Sequence, residues 1–191
     1  ELPEGSSGYD LAKDIGPGLA KSAIAVTIDG VQKDLYDVID SDASVSIITI
    51  DSDEGVEIMR HTLTAQVLAR AIKNLYPKSK LAIGPTVQDG FYYDVESIES
   101  ISSDDLSKIE EEMKKIIKTK SAITKKLVSK KEALKIFKSN KEPYKEIIIN
   151  ESDQDDNFQL YYQDDEEFVD LCRGPHLSLI HISEPTRQDR I

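Results

Sequence analysis

Tryptophan is absent from this chain of 191 residues, and it has one cysteine, Cys172, and three histidines, His61, His176 and His181. A single thiol excludes a disulfide within the chain and fits a reducing compartment. Zinc fingers and ribbons, which need four Cys or His ligands at paired spacing, are excluded as well. Positive charge is scarce too: 24 Lys and Arg against 36 Asp and Glu leave a formal net charge of −12. Non-specific affinity for nucleic acid rests on neutralised phosphates, so this balance argues against a broad grip on RNA. No apolar run is long enough to cross a bilayer. The start, Glu1-Leu2-Pro3-Glu4-Gly5, has neither the basic region nor the apolar stretch of a signal peptide. It also lacks an initiator Met, and an incomplete N-terminus is the expectation. What remains, 39% hydrophobic and 31% charged residues, is a soluble globular composition, long enough for one large domain or two small ones.

The charge is uneven. Lysines crowd over 108–145, and acids crowd over 151–156 and 164–167. The lysines are either a solvated helix face or a local basic surface for an RNA end. Residues 9–15 read as a short helix stopped by Gly16-Pro17-Gly18. Strands are expected over 23–28 and 31–35, joined by Asp29-Gly30, because both central positions of a type I′ turn need positive φ. Residues 44–50 alternate and are β-branched, which predicts another strand. One helix with mixed strands in so short a span suggests a ubiquitin-like β-grasp module.

Asp51-Ser52-Asp53-Glu54 places caps and acids before a helix that ends at Tyr76-Pro77. Leu81-Ala82-Ile83 leads into Gly84-Pro85, and Phe91-Tyr92-Tyr93 reads as an aromatic strand after Asp89-Gly90. Leu106, Ile109, Met113, Ile116 and Ile117 recur at helical spacing behind Asp104 and Asp105. Ser129 and Glu132 form a capping box for a helix through Phe137. Residues 147–149, 158–162 and 168–171 read as strands, with a surface loop over 151–156. Helices and strands without βαβ regularity predict an α+β fold.

The densest chemistry lies in Asp170-Leu171-Cys172-Arg173-Gly174-Pro175-His176. A thiol and an imidazole flank a Gly-Pro turn, which bends the backbone so that both can face one pocket. Three chemical readings stay open: two metal ligands, a Cys-His nucleophilic pair, or groups that position a water and a substrate hydroxyl. A buried structural cysteine beside a turn is the fourth.

The stretch Phe168-Val169-Asp170-Leu171-Cys172-Arg173-Gly174-Pro175-His176 resembles the hallmark of threonyl-tRNA synthetase editing domains. Asp14-Ile15-Gly16-Pro17-Gly18-Leu19-Ala20-Lys21, Leu81-Ala82-Ile83-Gly84-Pro85, Asp89-Gly90-Phe91-Tyr92-Tyr93-Asp94 and Glu142-Pro143-Tyr144-Lys145 resemble further segments of the family, in the same order. The resemblance runs from Leu2 to about Leu177. It implies a TGS module of β-grasp fold over 1–52, lacking its second strand, and a mixed α+β editing domain over 53–177. Residues 178–191, with His181, do not resemble the family and read as a foreign tail without a role.

The implied parent is a cytoplasmic threonine–tRNA ligase, a homodimer through the part absent here, whose missing catalytic domain would hold ATP, Mg and Zn. The fragment itself would need no cofactor and no metal. It would bind the acceptor end of tRNA(Thr), touch no membrane, and hydrolyse mischarged Ser-tRNA(Thr). Serine is threonine minus a methyl, a difference that binding alone excludes poorly. Carried over by position, the resemblance makes His176, Lys145, Asp170 and Cys172 the catalytic segment, with His176 and Lys145 positioning water and charge. Tyr93, Gly84, Gln66 and His61 are the substrate-side positions.

The sequence departs from the family in one helix. Where the family carries His-x-x-x-His, this chain has His61 and Gln66, five residues apart. That step turns the second side chain roughly 100° beyond an i+4 partner. The apolar spacing of Val67, Leu68, Ala71, Ile72 and Leu75 predicts that Gln66 faces the cleft and His61 the solvent, leaving His176 as the site's one imidazole. Two rival functions follow: a non-catalytic tRNA-docking module with a degenerate site, or a zinc-dependent hydrolase of the alanyl-tRNA synthetase type, whose editing domain binds zinc through histidines and a cysteine.

Overall fold

Ser7 opens the first helix because its hydroxyl accepts from Asp10 N while the Asp10 carboxylate accepts from Ser7 N, a capping box. A computed structural model describes residues 2–87, 90–163 and 166–178 of the chain. Helix α1 spans Gly8–Ile15. The expected stop at Gly16 is only a break, since Pro17 sits in the first turn of a second helix, α2 (Pro17–Ser22), where its missing N–H costs nothing. Strands β1 (Ala23–Ile28) and β2 (Val31–Asp34) flank Asp29 and Gly30, at φ 48° and 81°, as the turn chemistry requires. With β3 (Val45–Thr49) they form an antiparallel sheet in the order β2-β1-β3.

Ser52 caps α3 (Asp53–Thr62) by accepting from Gly55 N. A π turn follows over Leu63–Leu68, in which Ala69 N donates to Thr64 O, and α4 runs Ala69–Leu75. Four two-residue strands come next: β4 (Lys80–Leu81), β5 (Thr86–Val87), β6 (Gly90–Phe91) and β7 (Val95–Glu96). They pair as β4-β7 and β5-β6, so the expected aromatic strand keeps only Phe91, and Tyr92 and Tyr93 leave the ladder. Helix α5 is Leu106–Thr119, behind acids Asp104 and Asp105.

Strand β8 (Ile123–Val128) was not expected. Its Lys125 and Lys126 hide the alternation, because only one face of this edge strand is buried. The Ser129–Glu132 box opens α6 (Lys130–Ser139) as predicted. Residues 147–149, expected as a strand, lie instead in helix α7 (Pro143–Glu151). Pro143 starts it, and burial at i, i+4 of Lys145 and Ile149 outweighs the β preference of three isoleucines. Strands β9 (Phe158–Gln163) and β10 (Phe168–Leu171) complete a second antiparallel sheet, β10-β9-β8.

Both faces of β9 are covered. Phe158, Leu160 and Tyr162 pack on Ala133, Phe137 and Ile149 of α6 and α7. On the opposite face Tyr161 packs with Val67, Ala71 and Ile116 from the π turn, α4 and α5. A core of Ala25 and Ile48 with Ile58 and Leu177 joins the first sheet to α3 and to the segment after β10, so the chain just after His176 is buried against the first module. Ser178 O still accepts from Ile123 N at 2.9 Å; the remainder of the expected tail, with His181, lies outside the described residues. No described helix is long and apolar enough to cross a membrane.

Candidate active site

Helix α7 buries a lysine, and β10 meets it with an aspartate. Lys145 Nζ lies 2.7 Å from Asp170 Oδ1, with Lys145 4% and Asp170 2% exposed. An ion pair so dry persists only when its remaining polar atoms are satisfied. Leu171 N donates to Asp170 Oδ1 at 2.8 Å, and Tyr93 OH donates to Asp170 Oδ2 at 3.3 Å. Lys145 Nζ also donates to Tyr93 OH at 3.3 Å. Burial, then the Asp170 charge, push the Tyr93 hydroxyl above the usual tyrosine range, so it stays a donor. The Tyr93 ring lies directly over Gly84. A Cβ on Gly84 would stand 2.4 Å from Tyr93 Cδ2 and 2.7 Å from Thr64 Cγ2, so only glycine admits the ring here.

These groups open onto a groove of about 990 Å³, whose lining includes His61, Gly84, Tyr93, Lys145, Asp170 and Cys172. Arg173, exposed, lies on its rim, together with the acids Glu151 and Asp153.

The expectation that His61 faces solvent is overturned. His61 Nε2 hydrogen-bonds Cys172 Sγ at 2.9 Å, and its ring stacks on His176, centroids 4.6 Å apart. The π turn explains this. It absorbs the extra residue, so Ile58 upstream and Val67 and Ala71 downstream each keep their own core, with His61 following the upstream half. Gln66 does not reach the groove. It is fully buried against β9, where Gln163 Nε2 donates to both its Oε1 and its backbone carbonyl at 2.8 Å.

His176 sits behind His61 and is 2% exposed. The peptide Gly174-Pro175 is cis. Thr62 Oγ1 contacts His176 Nδ1 at 3.2 Å and accepts from Leu177 N at 3.1 Å, while the His176 ring meets Tyr161 edge-on at 4.5 Å. Burial, then the neighbouring His61, hold the His176 imidazole well below the usual histidine range. His61 is lowered too, by burial, against an opposing pull from Asp170. Burial pushes the Cys172 thiol up to about 12, against an opposing pull from the Gly174 and Arg173 backbone. A thiol held protonated is a poor nucleophile, which weighs against the Cys-His nucleophilic reading, although His61 stands within reach of the sulfur.

One donor atom each from His61, Cys172 and His176 falls within 4.8 Å of the others, a set able to hold a metal ion. His176 Nε2 is buried without a hydrogen-bond partner. Thr62 could accept from Nδ1–H, the outer contact that metal-bound histidines use. The residues therefore fit a three-ligand site.

Residues 1–49 match the TGS domain. That module is typical of threonyl-tRNA synthetases and occurs in some other proteins. It is β-grasp-like, in keeping with the first sheet and its helices, and it points to a role connected with translation or nucleotide binding. Of the predicted site residues, His61, Gly84, Tyr93, Lys145, Asp170 and Cys172 share the groove. His176 supports it from behind, and Gln66 belongs to the core. Sequence reasoning missed Thr62, Tyr161 and Asp34, whose contacts Thr62–His176, Tyr161–Asp34 and Asp34–His176 each close over more than a hundred residues of chain.

Proposed function

We propose that this chain hydrolyses the ester of mischarged Ser-tRNA(Thr) in the groove, as the N-terminal part of a threonine–tRNA ligase. The observation that carries the reading is the Lys145–Asp170–Tyr93 group, buried yet opening on the groove. Two of the three Lys145 N–H donors serve Asp170 and Tyr93, which leaves one to meet the oxygen that becomes negative when water attacks the ester carbonyl. Asp170, its own oxygens satisfied, orients both donors. Cys172 and His61 line the same groove, whose volume of about 990 Å³ would admit a serine side chain and a water. Arg173 on the rim offers a contact to the terminal phosphate, whereas Glu151 and Asp153 disfavour a deeper RNA contact.

The expected result is deacylation of Ser-tRNA(Thr) with Thr-tRNA(Thr) spared, unaffected by chelator. Lys145→Ala should lower kcat by at least about a hundredfold, the scale of losing one oxyanion donor. Wild-type chain that leaves Ser-tRNA(Thr) intact would sink the reading and favour the docking module.

A second reading rests on the His61, Cys172 and His176 set and the unpartnered His176 Nε2. A zinc ion bound there would supply Lewis acidity to the groove. Activity lost on chelation and restored by zinc would favour it over the metal-free route.

A further inference from the structure

Asp34 lies at the end of β2, in the TGS domain, yet its carboxylate is spent on the second module. Its Oδ1 accepts from His176 N at 2.8 Å, and its Oδ2 accepts from Tyr161 OH at 2.9 Å. Lys125 Nζ, from β8, stands 3.0 Å from the same Oδ2 and also pairs with Asp37. The side chains of Asp34 and Lys125 are 15% and 18% exposed, so these are sheltered contacts rather than a surface pair. Burial alone would lower the Lys125 ammonium, but Asp37 and Asp34 reverse this and raise it, which keeps it charged.

The two hydrogen bonds converge on one turn. The first holds the backbone of His176 directly. The second holds Tyr161, whose ring edge packs on the His176 imidazole and whose hydroxyl caps Gly174. A Cβ on Gly174 would stand 2.0 Å from that hydroxyl, and the glycine has φ +65°, so turn and tyrosine are built to touch. Cys172 directly precedes this turn, its sulfur meets His61 Nε2 at 2.9 Å, and His176 backs the His61 ring. A carboxylate of the first module thus stands two contacts from the wall of the groove.

We propose that Asp34 is a positioning residue for the groove: the TGS module sets the geometry of the 173–176 turn and hence of Cys172 and His61. Its effect on hydrolysis rests on the deacylase reading above; its effect on the turn does not.

The single thiol of the chain reports the turn without any substrate. The test compares full-length wild type with Asp34→Ala, Asp34→Asn and Lys125→Met, following the second-order rate of Cys172 with a disulfide reagent across pH, and steady-state deacylation of Ser-tRNA(Thr). Asp34→Ala should speed the thiol reaction by at least about tenfold, as loss of charge-assisted hydrogen bonds frees the turn. In deacylation kcat should fall with KM little changed. Asp34→Asn, which keeps an acceptor for His176 N, should recover part of both. Lys125→Met cuts the ion pair between modules and spares the turn's own bonds, so it should stay within about twofold of wild type. Equal thiol rates in Asp34→Ala and wild type would overturn the proposal. So would a Lys125→Met effect as large as that of Asp34→Ala, since the modules' docking rather than the turn would then be at work. If no variant deacylates, wild type included, and Asp34→Ala still speeds the thiol, the deacylase reading fails and the positioning role stands.

Discussion

The imidazoles of His61 and His176 lie face to face, 4.6 Å between centroids and 9° between planes. Only His61 borders the groove; His176 is shut behind it, between Thr62 and Tyr161. The two rings therefore play different parts, and substitution should separate them. His61→Ala should lower deacylation by at least about tenfold with a small change in stability, since it removes a groove wall. His176→Ala should cost about 3 kcal/mol of folding stability, as emptying a buried ring site does, with activity falling as a consequence. Urea titrations beside kinetics check this. A stable, inactive His176→Ala would return the chemistry to His176.

Both imidazoles have folded-state pKa values below the unfolded value of about 6.5. The unfolded chain then binds more protons below that pH, so stability is full above about 6.5 and declines as pH falls toward the folded values. For His176 the slope should approach about 1.4 kcal/mol per pH unit. Urea unfolding between pH 7.5 and 5.5 should show this decline in wild type and a flatter profile in His176→Gln. A flat wild-type profile would mean that His176 keeps its proton in the fold.

Deleting Leu63 would restore four-residue spacing between His61 and Gln66 and remove the reason for the π turn. A plain α-helix would then carry Ile58 and Val67 to the cores they already occupy, because the π turn only takes up the residue that has been removed. The expected outcome is a stability within about 1 kcal/mol of wild type and a Cys172 thiol rate within about twofold, with His61 still on Cys172. A large loss of stability with a much faster thiol would mean that the π turn itself, and not the two cores, places His61.

Much of the local structure was legible. The Ser129–Glu132 box, the Asp29-Gly30 turn and the acids before α3 and α5 each act within four residues, and each appears where expected. The grouping of Cys172, Asp170, Lys145, Tyr93 and Gly84 around one groove also follows the motifs that suggested it. Strand β8 was hidden by its lysines, and 147–149 misled because three β-branched residues outvoted Pro143 in a local reading.

By itself, the sequence determined where helices and hairpins begin, because a cap or a tight turn is satisfied by neighbours a few residues away. Only the tertiary structure decided which way His61 and Gln66 point. Two separate cores, around Ile58 and around Val67, each claimed one half of the helix, and the residue between them went into a π turn. Gln66 then found Gln163, and His176 found Asp34, across 97 and 142 residues of chain. Such partners are set by packing of whole elements, and no short-range pattern encodes them.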